Sequence, residues 1–222
     1  MMVLLRPPGV YAPQGDTFLL AEALHDAAVP AGARVLEVCT GTGALAIEAA
    51  RIGAAGVTAI DISARAVLAA RINARLRGLP VRVMRGDLFA PVAGESFDVI
   101  VANPPYVPGR DRRPPRHGRG RSWDAGAGGR LLVDRICAEA PPLLAPGGVL
   151  LMVHSALCDE QATVAALRDR GLKASVIARR PEPFGRVMRA RAARLEARGL
   201  IRVGQRCEEL VVIRADRTET PG

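Results

Sequence analysis

The chain has few aromatic residues (3% of 222), three histidines, one lysine (Lys173) and no long apolar run. With 49% hydrophobic residues and so few rings, its core has to be built from Ala, Val, Leu and Ile. No apolar stretch reaches the roughly 18 residues that span a bilayer, so no membrane association is expected. The N-terminal residues 1–14, MMVLLRPPGVYAPQ, start apolar. They lack the basic start and long apolar centre of a signal peptide. Cys39, Cys137, Cys158 and Cys207 contain no CxxC pair. With histidine so scarce, a zinc site or a disulfide framework is excluded, and four reduced, buried thiols in a cytoplasmic protein are expected, with no metal.

The net charge is +9 and is almost all arginine, which by itself says little about a partner. Its distribution says more: six arginines fall in Arg110–Arg121, among prolines and glycines that forbid a regular element. The length suits one α/β domain over 1–222, with a leading segment and helix at 1–30, an Arg-rich loop at 107–129 and a basic helical insert at 184–202.

Strand and helix patterns alternate almost throughout. Asp16 is expected to cap a helix over 17–28 with Phe18, Leu19, Ala23 and Leu24 on its buried face. Strands are expected at 34–38, 57–60, 81–84, 97–101, 148–153, 173–178 and 209–214. Helices are expected at 44–51, from a Ser63 cap to about 77, and at 130–140, 160–170 and 187–198. Short β-α repeats with continuous apolar strands indicate a doubly wound, mostly parallel sheet covered on both faces, with an antiparallel edge strand formed by the last strands.

Ligands of such sheets sit at the carboxyl ends of the strands, and four features fall there. The first is Glu37-Val38-Cys39-Thr40-Gly41-Thr42-Gly43, a glycine turn that suits a dinucleotide, another nucleotide or simply a tight bend. The second is Asp61, 18 residues after Gly43, which suits either the two hydroxyls of a ribose or a helix cap. The third is Asp87 after Gly86, with Leu88 next to it, a candidate for an adenine amino group and ring or a solvated turn. The fourth is Asn103-Pro104-Pro105-Tyr106. Two prolines fix the backbone and leave carbonyls as acceptors, Asn103 adds a side-chain oxygen and Tyr106 a flat face. Together they can hold a planar –NH2 group by both hydrogens and one π face.

These motifs resemble a class I (Rossmann-like) methyltransferase acting on amide or amino nitrogen. More closely, the chain resembles the HemK/PrmC-type N5-glutamine methyltransferases of translation release factors. It is similar to their short, Mtq-like branch, which lacks an N-terminal helical domain. Three further stretches carry the likeness: Tyr11–Leu20, Trp123–Arg130 and Pro146-Gly147-Gly148. Cys39 stands where the family usually has glycine, and the Arg-rich loop and the basic segment from Phe184 to Arg202 depart from the pattern.

The resemblance implies S-adenosyl-L-methionine as cofactor, S-adenosyl-L-homocysteine as product, and Thr17, Glu37, Cys39, Thr40, Gly41, Gly43, Asp61, Ile62, Asp87, Leu88 and Asn103 as its surroundings. It implies that Asn103 and the Pro104 carbonyl hold the target amide, with Pro105 beside them and Tyr106 packed on it, while Arg112 and Arg113 meet the macromolecule. A protein substrate such as a release factor and a small partner subunit follow from the same likeness. His154 and His117 are assigned structural or solvent-facing roles. The rival readings are methylation of an exocyclic amine on a flipped base, with the Arg-rich loop on phosphate, and a non-catalytic RNA- or ribosome-binding module.

Overall fold

Val35, Leu36 and Val38 of the first strand are fully buried, because helices cover the sheet on both faces. The computed structural model describes residues 3–27, 29–30, 32–109 and 119–218. They form helices α1 (Gly15–Asp26), α2 (Ala44–Arg51), α3 (Ala64–Arg75), α4 (Leu131–Glu139), α5 (Glu160–Arg168) and α6 (Arg186–Ala197). The strands are β1 (Arg34–Val38), β2 (Gly56–Asp61), β3 (Val81–Arg85), β4 (Phe97–Ala102), β5 (Leu144–Ser155), β6 (Lys173–Pro183) and β7 (Cys207–Asp216).

The strands join in one sheet of order β3-β2-β1-β4-β5-β7-β6. The first five run parallel, and β7 pairs antiparallel with both β5 and β6. The antiparallel return therefore occupies that end of the sheet, with β6 as the outermost strand. Strand order reverses between β1 and β4, which opens a crevice at their carboxyl ends.

Successive residues of each strand face opposite layers. Leu36, Ile100, Leu150 and Ile213 pack with Val133 and Ile136 of α4 and Leu167 of α5. Val35, Val99, Leu151 and Val212 pack with Leu20 and Leu24 of α1, Leu45 of α2 and Val67 of α3. The small side chains let helices lie close: a Cβ on Gly43 would stand 3.0 Å from that of Ala70. A third cluster, Phe184, Met188, Ala192, Leu195 and Ile201, forms under α6 and reaches Val107.

Several expectations need correction. Gln14, not Asp16, occupies the N-cap of α1, without a side-chain cap bond. Asp16 turns inward from the first helical turn because two phenols need its carboxylate (below). Phe18 is 49% exposed, since α1 buries Leu19, Leu20, Ala23 and Leu24 and turns residue 18 outward. The helix ends at Asp26, and Ala28 lies outside the described residues. Strands β5, β6 and β7 run beyond their expected bounds, because β6–β7 pairing continues after the apolar pattern stops and β5 starts early, where Leu144 pairs with Phe97 of β4. Cys207 is exposed and Cys39 half-buried, so only Cys137 and Cys158 fit the expectation of buried thiols. Ser63 caps α3 as expected, accepting from the Ala66 N–H.

Among the described residues, no helix is long and apolar enough to cross a membrane, and no group of three or more His, Cys, Asp or Glu is placed to hold a metal.

Candidate functional site

Beyond the tips of β1, β2, β3 and β4 lies a cleft of ≈ 340 Å³. That is within the range of small-molecule sites. Every described residue assigned to the site from the sequence lines it, apart from Gly43, which sits behind the turn. Arg112, Arg113 and His117 lie outside the described residues, as does the rest of 110–118.

The turn after β1 is tied down from within. Thr40 N donates to the Ile60 carbonyl (3.1 Å) and Gly43 N to Thr40 O (2.8 Å). Cys39, at φ 61°, takes up a left-handed conformation that favours glycine. Glu37 is buried, and its Oε2 accepts from the Thr40 hydroxyl and from Ala46 N (2.9 Å) at the start of α2. Burial pushes its carboxyl up to about 8, against the opposing pull of those two hydrogen bonds.

At the tip of β2, Asp61 accepts from Gly41 N (2.9 Å) through Oδ2 and from Ser63 N (2.8 Å) through Oδ1. The carboxylate is thereby fixed in place by two backbone donors. At the tip of β3, Asp87 meets a partner absent from the sequence reading: Arg135 of α4 reaches it at 2.9 and 3.1 Å and also donates to Glu139 (2.9 Å). Leu88 beside it is buried.

The Asn103-Pro104-Pro105-Tyr106 segment leaves β4 directly beneath the start of α1. Asn103 Nδ2 lies 3.4 Å from Thr17 Oγ1. Asp16 is buried and gathers four donors: Thr17 N (2.6 Å), Thr17 Oγ1 (3.1 Å), the Tyr11 hydroxyl (2.8 Å) and the Tyr106 hydroxyl (3.0 Å). Burial, then the charge of Asp16, pushes the Tyr106 phenol well above its ordinary value, so it stays a hydrogen-bond donor. Cys158, its thiol pushed by burial up to about 12, donates to the Tyr106 carbonyl (3.0 Å). The ring of Tyr106 is thus held at its hydroxyl and its backbone.

Tyr11, Asp16, Trp123, Leu131, Leu132 and Arg135 line the cleft without having been assigned to it. The stretches around Tyr11 and Trp123 carried family likeness but no roles, and nothing in the sequence signals Arg135. His154 is buried, with Nδ1 at 2.9 Å from its neighbour's carbonyl, and burial lowers its pKa. It is absent from the described cleft lining, as a structural residue would be.

Five carboxyl groups (Asp16, Glu37, Asp61, Asp87, Asp124) and one guanidinium line the described cleft; Glu37 holds its proton up to about 8, and Asp87 and Asp124 are paired with Arg135 and Arg191, so the acidic character rests on Asp16 and Asp61. Such a site favours a cationic ligand carrying hydrogen-bond donors.

Comparison with known proteins agrees. The methyltransferase small domain family model matches residues 2–116. A putative protein N5-glutamine methyltransferase of Methanocaldococcus jannaschii is 36% identical over 188 residues, covering 85% of this chain and 93% of the relative. A release factor glutamine methyltransferase of Deinococcus radiodurans is 40% identical, and the match covers 82% of this chain but 66% of that longer protein. Among solved structures, Mtq2 in the E. cuniculi Mtq2–Trm112 complex, described as responsible for methylating the eRF1 termination factor, matches with TM-score 0.65 and 24% identity, over 95% of this chain and 99% of that one. A T. thermophilus 16S rRNA N2 G1207 methyltransferase, in complex with AdoMet and guanosine, shares the fold with TM-score 0.62 and 22% identity, over 96% of this chain and 46% of that one. With its crevice, its four strand-tip motifs and these relatives, the chain belongs to the methyltransferase small domain family and, within it, to the S-adenosylmethionine-dependent protein N5-glutamine methyltransferases.

Proposed function

We propose that residues 1–222 act as one domain that methylates a glutamine side-chain amide of a translation-associated protein, a release factor by preference, in the cytoplasm. The observation that carries this reading is the Asn103–Tyr106 segment, locked by Thr17, Asp16 and Cys158 at the rim of an acid-lined cleft.

The residues fit an adenosyl cofactor by their acceptor chemistry. Asp61 offers two fixed carboxylate oxygens to ribose hydroxyls, with Ile62 beside it, and Asp87 and Leu88 offer an acceptor and an apolar face to adenine. Thr17, Glu37, Cys39, Thr40 and Gly41 surround the methionine end, with Gly43 behind the turn, and the Asp16 carboxylate next to Thr17 favours a sulfonium there. S-adenosyl-L-methionine, when bound, supplies an activated methyl group, and S-adenosyl-L-homocysteine leaves as product.

An amide nitrogen is a poor nucleophile because its lone pair is delocalised. Asn103 Oδ1 and the Pro104 carbonyl accept its two hydrogens, which raises electron density on nitrogen and fixes its direction. Tyr106 and Pro105 cover the amide plane and exclude water. Tyr106, with its raised phenol, does not serve as the base; one of the two amide hydrogens leaves the methylated nitrogen as a proton to solvent once transfer is complete. The D. radiodurans relative supports the release-factor substrate, and the Mtq2 neighbour supports a Trm112-like small subunit as a partner.

The test is transfer of labelled methyl to a release factor and to total RNA, with digestion to single residues. N5-methylglutamine supports the reading. Label found only in methylated bases overturns it.

A further inference from the structure

We propose that α6 belongs to the acceptor machinery: Arg191, Arg194 and Arg198 hold the neck of the 107–129 loop and so set the wall that Tyr106 and Trp123 present to the substrate. This rests on the acceptor site described above. The neck is a short zipper. Val107 N donates to Trp123 O (2.8 Å), Ala125 N to Val107 O (3.1 Å) and Gly109 N to Gly126 O (2.7 Å). Its two arms touch because residue 109 has no side chain: a Cβ there would stand 2.1 Å from Asp124 Oδ1.

The carbonyls of Pro108, Gly109 and Ala127 take no part in that zipper, and α6 supplies their donors. Arg191 Nη1 donates to Pro108 O (2.8 Å), while its Nη2 pairs with Asp124 Oδ2 (2.9 Å). Arg194 and Arg198 both donate to Gly109 O (3.1 Å each), and Arg198 also to Ala127 O (2.9 Å). Positions 191, 194 and 198 share one helical face. The Asp124 carboxylate is 8% exposed and Arg191 24% exposed, so this pair is largely withdrawn from water. A guanidinium suits the task because its fork reaches a carbonyl and a carboxylate together. Met188 and Leu195 pack in the same cluster that reaches Val107, the residue after Tyr106. The helix therefore grips the neck by polar and apolar contacts immediately behind the clamp.

Arg189 is exposed on the same helix and provides the control. Trp123, the only tryptophan, lines the cleft and reports on the wall. The experiment measures, on the full chain, kcat/KM with a release-factor acceptor, S-adenosylhomocysteine affinity, urea midpoint and iodide quenching of Trp123. Arg191→Met should lower kcat/KM about tenfold and raise Trp123 quenching about twofold, with homocysteine-product affinity within about twofold of wild type. Gly109→Ala strains the neck from the other side and should reproduce that pattern, and Arg189→Met should match wild type. Wild-type kcat/KM and quenching in Arg191→Met would overturn the proposal. So would parallel losses of cofactor affinity and urea midpoint with quenching unchanged. If wild type methylates no glutamine, the acceptor reading fails in that arm alone, and Trp123 quenching still tests the grip of α6 on the neck.

Discussion

The two ends of the cleft are built differently. The cofactor end is assembled mostly from neighbouring strand tips: Glu37 holds Thr40 and Ala46, and Asp61 holds Gly41 and Ser63, with Asp87 alone reaching Arg135 across 48 positions. The acceptor end is assembled from distant ones: Thr17 meets Asn103, Asp16 meets Tyr106 and Arg191 meets Asp124, across 86, 90 and 67 positions. A site of the first kind is carried mainly by the consecutive β1-α2-β2 stretch. A site of the second kind depends on the packing of α1, the loop neck and α6 onto the sheet, so it can be altered without disturbing the cofactor turn. Evolution of a new acceptor would act on that second end.

The sharpest break in this comparison is Asn103→Ala. It should lower kcat by more than tenfold, a loss above about 1.4 kcal/mol of transition-state stabilisation, with the urea midpoint held, because a strand-tip residue leaves no core cavity. A rate above about a tenth of wild type would remove Asn103 from the amide clamp.

Asp16→Ala comes next. It leaves the Tyr11 and Tyr106 hydroxyls and Thr17 without their acceptor, and it should cost about 1–3 kcal/mol of stability and reduce kcat more than it reduces cofactor affinity. Calorimetry showing a loss of cofactor affinity as large as the loss of rate would contradict the division into two ends.

Asp61→Ala is the mirror case. It should weaken cofactor binding by about 1–3 kcal/mol and leave the acceptor KM alone. Unchanged affinity by calorimetry would take Asp61 out of the cofactor end.

The pH response of Glu37 is a smaller effect, and its sign is defined. Its carboxyl titrates near 8 in the fold against 4.5 when exposed. Between those values the native state holds a proton that the unfolded chain has released, so stability falls as pH rises through that window. Glu37→Gln has no proton to lose. Its urea midpoint should gain on wild type between about pH 5 and about pH 8.5. A constant difference between the two proteins across that range would show that Glu37 does not carry this proton.

The smallest effect is expected from the loop. Arg112 and Arg113 changed to Ser should raise KM for a macromolecular acceptor about threefold at low salt, converging with wild type at high salt, because long-range steering by arginines is modest and screened by salt. Equal KM at low salt would return the loop to solvated surface.

Much of this was legible beforehand. The six helices and seven strands, the glycine turn, Asp61 and the Asn103–Tyr106 segment are local patterns, and local patterns report themselves through periodicity and turn chemistry. Asp16 shows where that logic stops. A short acid before an apolar helix reads as a cap, and only the approach of two tyrosines from residues 11 and 106 turns it inward. Asp87 was read as a free strand-tip acid until Arg135 came round from α4. Asn73 carries no signal of its own in the sequence, yet it is fully buried and joins Leu5 to Thr42. The arginines of α6 read as a basic face, and three of them are donors to loop carbonyls.

By itself, then, the sequence determined the layered fold and the strand-tip motifs, because each rests on backbone geometry within a few residues, while the cofactor came with the family resemblance. Only the tertiary structure decided which acid orients Tyr106, which guanidinium meets Asp87 and which helix holds the loop neck. Those pairings join segments tens of residues apart, and a buried carboxylate or carbonyl takes whichever donor the packing brings within reach.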